Sequence, residues 1–144
     1  MKSTSFTIVQ LKVEYKDKEK NIASVDKLLA ECTTIGDITL LPEMFSTGYI
    51  FDSKEEIHSL SEDFDDSATI NKLTEMAQTY ETLFVAGIAE KADNKYYNSV
   101  AVVDGSGLRY KYRKISQNRI DRQYFSRGKE LLTFEHGSVQ FKCW

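Results

Sequence analysis

Two side chains in this sequence stand where they could do chemistry. Glu43 lies in Leu40-Leu41-Pro42-Glu43-Met44-Phe45-Ser46-Thr47-Gly48-Tyr49, at the end of a short apolar run and directly after the only proline. Open α/β sheets present their reactive groups at strand ends, and the proline fixes the backbone just before the carboxylate. Met44 and Phe45 would be odd companions for a solvent-facing turn. The expectation is therefore a buried Glu43, suited by burial to general-base work; the alternative is an exposed turn residue. Far downstream, Tyr110-Lys111-Tyr112-Arg113-Lys114 ends a second strand-like run. Strand parity groups Tyr110, Tyr112 and Lys114 on one face and Arg109, Lys111 and Arg113 on the other. If the tyrosine face is packed, Lys114 points inward; if not, it belongs to a basic strand end in water. A Glu43–Lys114 pair would be of the kind that serves a nucleophile.

The other candidates carry less. His58 and His136 are far apart, and Glu55-Glu56-Ile57-His58 reads as a solvated acidic helix rather than a metal pattern. Arg113, Lys114, Arg119, Arg122 and Arg127, interleaved with Tyr124 and Phe125, offer either a nucleic-acid patch or, the preferred reading, a polar loop with an arginine available for a substrate carboxylate. Cys32 completes a helix stripe and is expected in the core. No phosphate-cradling glycine loop or dinucleotide fingerprint is present.

Those groups must be positioned by a chain of 144 residues, enough for one domain with a real core. A net charge of −3 argues against a nucleic-acid binder held by phosphate attraction. No apolar run approaches membrane-spanning length, and the opening Met1–Phe6 lacks a long apolar core. Two cysteines, Cys32 and Cys143, make no disulfide framework, so a reduced, cytoplasmic protein is expected.

Phe6 to Val13 reads as a first strand. Asp17 to Cys32 carries Ile22, Val25, Leu28, Leu29 and Cys32 at helical spacing, with Gly36 closing the helix. Ile38 to Leu41 is a short apolar strand of the kind buried in parallel sheets. Strand–helix–strand is the signature of an α/β fold. A short helix around Lys54 to Leu60 follows. Asp66 or Ser67 then caps a helix carrying Ile70, Leu73, Met76, Ala77 and Tyr80. Leu83 to Ile88 is apolar strand; Lys95 to Val103 and Leu108 to Arg113 form a hairpin about Asp104-Gly105-Ser106-Gly107, with Asp93-Asn94 turning before it. Ser116 to Arg127 is a polar connection, and Leu131–Phe134 and Val139–Trp144 read as final strands. The last of these reads as cut in mid-strand, so the expectation is part of a longer protein.

The Leu-Pro-Glu-Met-Phe-Ser-Thr-Gly-Tyr segment around Glu43 and the Tyr-Arg-Lys-Ile segment around Lys114 resemble the Glu and Lys motifs of the nitrilase, or carbon–nitrogen hydrolase, superfamily. The Met-Phe-Ser-Thr-Gly form is most similar to its omega-amidase branch. Ile8-Val9-Gln10, Asn21 and Tyr97-Asn98-Ser99 match as well, so the likeness runs from about Phe6 to the last residue. The resemblance implies an α/β fold, an αββα sandwich that pairs into homodimers, of which this chain is the N-terminal part. It implies a Cys–Glu–Lys triad hydrolysing a small-molecule amide without metal or organic cofactor. Glu43 would take the thiol proton and return it to departing ammonia, and Lys114 would stabilise the oxyanion. Water activated by the same glutamate would then release the acid from the thioester. Asp121, in Asp121-Arg122-Gln123-Tyr124-Phe125-Ser126-Arg127-Gly128, takes the place of the family's further acid, one methylene shorter, and would position Lys114 or the substrate. Phe45 and Tyr49 would help wall the pocket. Lys114-Ile115-Ser116 departs from the family, which usually has a histidine soon after the lysine.

The nucleophile of the family follows an apolar strand in forms such as Ile-Cys-Trp-Asp. Cys143-Trp144 resembles that form, but Lys142 replaces the apolar residue and the spacing from Gly128 is short. The expectation is a nucleophile a few residues beyond Trp144, with this chain inactive as it stands. Two alternatives remain: an active Cys143, and a non-catalytic α/β module kept for self-association. The substrate class expected is a small carboxamide, an omega-amide of a dicarboxylic acid being one candidate, with neither nucleic acid nor membrane as a partner.

Overall fold

The apolar runs of the sequence assemble into one mixed sheet with the two long helices on one side. The structure, a computed structural model, describes residues 3–144, so Met1 and Lys2 of the opening segment lie outside the described residues. Its elements are β1 (Phe6–Ile8), α1 (Lys18–Ala30), β2 (Ile38–Leu40), α2 (Lys54–Leu60), α3 (Ala68–Tyr80), β3 (Leu83–Ala92), β4 (Lys95–Asp104), β5 (Gly107–Arg113), α4 (Asp121–Tyr124), β6 (Leu132–His136) and β7 (Val139–Cys143). The five-stranded sheet has the order β1-β2-β3-β4-β5. Pairing is parallel for β1-β2-β3, which α1, α2 and α3 connect, and antiparallel for β3-β4-β5, which tight turns connect. Asp93 and Asn94 both take left-handed φ (51° and 57°) between β3 and β4, as a two-residue hairpin turn requires.

Alternation along β3 and β4 decides the two faces. Phe84, Ala86, Ile88, Ala101 and Val103 face the apolar stripes of α1 (Val25, Leu29) and α3 (Ile70, Leu73, Met76, Ala77) and form the main core. The N-cap of α3 is Ser67, whose side chain accepts from Ile70 N. On the opposite face, Ile38, Leu83 and Val102 pack under Phe134 of the β6–β7 hairpin. The chain thus builds one mixed sheet with α1 and α3 layered on one face, while α2 and α4 pack around Ala89 and Tyr96 at the end of the other, an α/β fold as expected. Among the described residues no helix is long and apolar enough to cross a membrane.

Three local expectations are corrected. β1 is three residues long rather than eight, because only Phe6, Thr7 and Ile8 find ladder partners on β2. Gly36 does not close α1, which stops at Ala30 with Glu31 in a right-handed conformation; Gly36 instead packs on the Phe6 backbone. Cys32 is not core: α1 ends before it, and its exposed thiol reaches the Leu28 carbonyl.

Candidate active site

The turn that carries Glu43 is pinned at both ends to β3. Leu41 N donates to Val85 O at 2.9 Å and Phe45 N donates to Gly87 O at 3.1 Å, so the intervening residues arch over Gly87. A Cβ at Gly87 would lie 2.6 Å from Glu43 Cα and 2.8 Å from Met44 N, so only glycine admits this approach. Met44 takes a left-handed φ of 51°. It and Phe45 then enter different cores: Met44 packs with Phe51, Ile57 and Phe125, and Phe45 with the helix-side cluster. Two buried anchors thus explain the apolar residues that follow the glutamate. Asn21 of α1, itself fully buried, ties down the next residue by donating to Ser46 O at 2.8 Å.

Lys114 arrives from the other side of the sheet's tip. Its N–H donates to Asn98 O (2.9 Å) and its carbonyl accepts from Gly128 N (3.0 Å), which extends β5 by one residue. Tyr112 on the same face is 6% exposed, so the tyrosine face is the packed one and Lys114 does point toward Glu43. Nζ donates to Glu43 Oε1 at 2.8 Å and pairs with Asp121 Oδ2 at 2.9 Å. Burial alone would favour a neutral amine, but two carboxylates outweigh it and raise the Lys114 pKa above its ordinary value.

Asp121 begins α4 and is fully buried. It accepts from Asn98 Nδ2 (3.0 Å), the Tyr49 hydroxyl (2.9 Å) and Asn118 N (3.1 Å), besides pairing with Lys114. Burial pushes its pKa up, yet these hydrogen bonds and the ammonium hold it below the usual aspartate range. The Tyr49 hydroxyl is pushed the other way, chiefly by burial and by the adjacent Asp121. Asn98 connects the two acids, because its Nδ2 also donates to Glu43 Oε1 at 2.6 Å.

The structure brings together Glu43, Lys114 and Asp121, the three polar residues expected at the site. Other expectations need correction. The Glu43 side chain is 47% exposed rather than buried, and among the described residues both of its hydrogen bonds fall on Oε1. Phe45 does not wall a pocket, since its side chain fills the helix-side core. Tyr49 is a partner of Asp121, its ring 5.9 Å from Lys114 Nζ, and it does not line the cavity. That cavity, about 270 Å³, lies between Glu43, Asn98 and Lys114 and the apolar walls Leu41, Val85, Val100, Tyr112 and Trp144. Sequence reasoning gave no site role to Gly87, Asn98 or Asn118. A glycine inside the apolar run Leu83–Ile88 was the available signal for Gly87; for Asn118 there was none.

Of the two thiols, Cys32 lies exposed after α1 and Cys143 is half-buried in β7. Burial alone acts on the Cys143 thiol and pushes its pKa up, away from thiolate. His58 stacks on Tyr96 with centroids 3.5 Å apart. No group of three or more metal-ligating side chains occurs among the described residues.

A carboxylate and an ammonium thus meet at one end of the sheet, after β2 and β5, backed by a buried acid. Residues 6–143 match the carbon–nitrogen hydrolase family, and the chain belongs to it. It is 33% identical over 137 residues to a nitrilase of Pyrococcus abyssi, covering 94% of this chain and 49% of that protein. It is 30% identical over 94 residues to the N-carbamoylputrescine amidase of Solanum lycopersicum, covering 63% of this chain and 31% of the amidase. The chain thus spans half or less of the length of these relatives. In fold it is similar to a carbon–nitrogen hydrolase superfamily protein of Xanthomonas campestris whose crystal structure holds an arsenic adduct in the active site. The TM-score is 0.85 at 21% identity, over 99% of this chain and 52% of that one. An N-terminal amidase superposes with a TM-score of 0.79 at 22% identity, over 90% of this chain and 32% of the amidase chain.

Proposed function

We propose that this chain supplies the general base and the oxyanion-side cation of an amidase that acts through a cysteine thioester. The observation that carries it is the Lys114 ammonium held between Glu43 and Asp121 at the floor of a cavity. Glu43 Oε2 is free to take a thiol proton while Oε1 stays fixed by Lys114 and Asn98. The thiolate would attack the amide carbon, and the new oxyanion would lie against Lys114. Glu43 would hand its proton to the amide nitrogen, the C–N bond would break, and ammonia would leave. Water, deprotonated by the same carboxylate, would cleave the thioester to acid and thiol.

In this proposal the 144 residues are the N-terminal part of one hydrolase domain, and the nucleophilic cysteine is not among them. Support comes from the Cys143 thiol, on which no activating charge acts, and from Trp144, which borders the cavity just beyond it. The substrate is a small carboxamide, with an omega-amide of a dicarboxylic acid as first choice. The amidase names among the relatives support this class, and carbamoyl compounds are the next to try. A second reading, a non-catalytic module kept for self-association, is favoured by the exposure of Phe6, Ile8, Leu131 and Trp144.

The test is ammonia release from a panel of omega-amides and carbamoyl amines. It compares the chain alone with a form extended along the reading frame past Trp144. The extended form should turn over and the chain alone should not. Glu43→Gln in the extended form should lose activity by about 10²–10⁴-fold, the usual contribution of a general base. An active Glu43→Gln enzyme, or a stop codon directly after Trp144 with no ammonia released, would overturn the amidase assignment.

A further inference from the structure

The basic run that the sequence singled out is not absorbed by the candidate active site. Residues 107–129 hold eight of the 19 Lys and Arg residues and one of the 22 acidic ones, in a chain whose net charge is −3. Positive charge is therefore concentrated in one part of an otherwise acidic molecule. Only Lys114 of these eight joins Glu43; Lys111 and Arg113 project from the other face of β5, toward the helix side.

There they border a second cavity of about 370 Å³. Five cations line it, Lys95, Lys111, Arg113, Arg127 and Lys129, against one acid, Glu130. Two of the five are fixed from beneath by Glu90, which is fully buried. Arg113 gives Glu90 a two-pronged contact (2.6 and 2.9 Å) and stacks over the Tyr97 ring at 4.1 Å, while Lys111 approaches Glu90 at 3.2 Å. The opposite wall is also fixed. Ser126 N donates to Tyr96 O and Gly128 N to Lys114 O, and a Cβ at Gly128 would collide with the Arg113 carbonyl. Arg127 and Lys129 thus flank a glycine pressed against the sheet edge. They and Lys95 make no ion pair or side-chain hydrogen bond among the described residues.

We infer that this cleft is a binding site for a small, multiply charged phosphate compound, separate from the Glu43–Lys114 site. Three unpaired cations line a concave space together with Ser126, and the Glu90 network holds Lys111 and Arg113 in place before any ligand arrives. The small volume, about 370 Å³, suits a small ligand; an extended polyanion such as nucleic acid would meet the acidic remainder of the surface.

The probe is inorganic pyrophosphate, titrated calorimetrically into the intact protein at low ionic strength. Saturable binding that weakens with added salt is expected. Lys95→Gln/Arg127→Gln/Lys129→Gln should weaken it by about tenfold or more, since charge-assisted contacts carry the affinity. A control with the same loss of charge elsewhere, Lys12→Gln/Lys27→Gln/Lys54→Gln, should leave it within about twofold, because distant exposed charges are screened. Arg127→Gln alone serves as a second variant if the triple change lowers the folded fraction. Absence of saturable binding, or equal weakening in both triple variants, overturns the site. Citrate binding as tightly as pyrophosphate overturns the phosphate assignment. None of these readouts involves amide hydrolysis, so the result stands apart from the activity assigned to Glu43.

Discussion

Replacing Asp121 with Asn keeps the shape of the side chain and removes its charge, and the geometry fixes what must follow. Oδ1 accepts from Asn98 and Tyr49, and Oδ2 accepts from Asn118 N and faces the Lys114 ammonium. An asparagine has one acceptor oxygen and one donor NH₂, so in either orientation two of the four donors meet a donor. The better orientation keeps the oxygen toward Lys114 and Asn118, leaving Asn98 and Tyr49 without their acceptor in a fully buried position. Two lost hydrogen bonds with desolvated donors cost about 2–4 kcal/mol together. For a domain of this size that is a fall in Tm of roughly 6–16 °C. Thermal unfolding followed by circular dichroism at neutral pH measures it. The pH dependence supplies the sharper test. The folded pKa of Asp121 lies below its ordinary 3.8, so its contribution is present above that value and fades as pH falls through the folded pKa. The deficit of Asp121→Asn should therefore be constant from neutral pH down to about 4 and shrink below it. A deficit under about 0.5 kcal/mol, or one undiminished in strong acid, would refute the four-donor account.

Gly87→Ala should destabilise the fold by about 1–3 kcal/mol and displace the Glu43 turn, because its Cβ meets backbone that cannot give way. Chemical denaturation measures the first effect, and ammonia release by the extended form measures the second. Glu90→Gln should cost about 3–5 kcal/mol by leaving Arg113 and Lys111 without their buried partner. Urea unfolding checks it, and a loss below about 1 kcal/mol would show that solvent readily takes the carboxylate's place.

The elements were largely legible because their signals are local. Ser67 caps α3 with its own side chain, Lys54–Leu60 is a helix as its composition suggests, and the two hairpin turns announce themselves in Asp93-Asn94 and Asp104–Gly107. Parity on β5 put Lys114 on the tyrosine face, and that holds because the register shift opposite Val102/Val103 falls before Tyr110, leaving the alternation from Tyr110 onward intact. Where the reading failed, a distant contact decided. Cys32 has helical spacing but lies past the end of α1, and Phe45 follows the glutamate but turns into the core behind it.

What the sequence determined by itself is the order of strands and helices and the two strand tips that carry Glu43 and Lys114. Side-chain period, capping chemistry and turn residues act over a few positions and can be read without the fold. What only the tertiary structure decided is the company those side chains keep. Asn98 lies 55 residues from Glu43 and Lys114 lies 71 residues from it, and both reach the same carboxylate oxygen. The register of β3, β4 and β5 sets those distances, together with the close approach of the Glu43 turn to Gly87 and the burial of Glu90 beneath two cations. The hairpin turns set part of that register, but the parallel pairing of β2 on β3 and the seat of the Glu43 turn over Gly87 join stretches far apart in the chain, and no local stretch of residues encodes them.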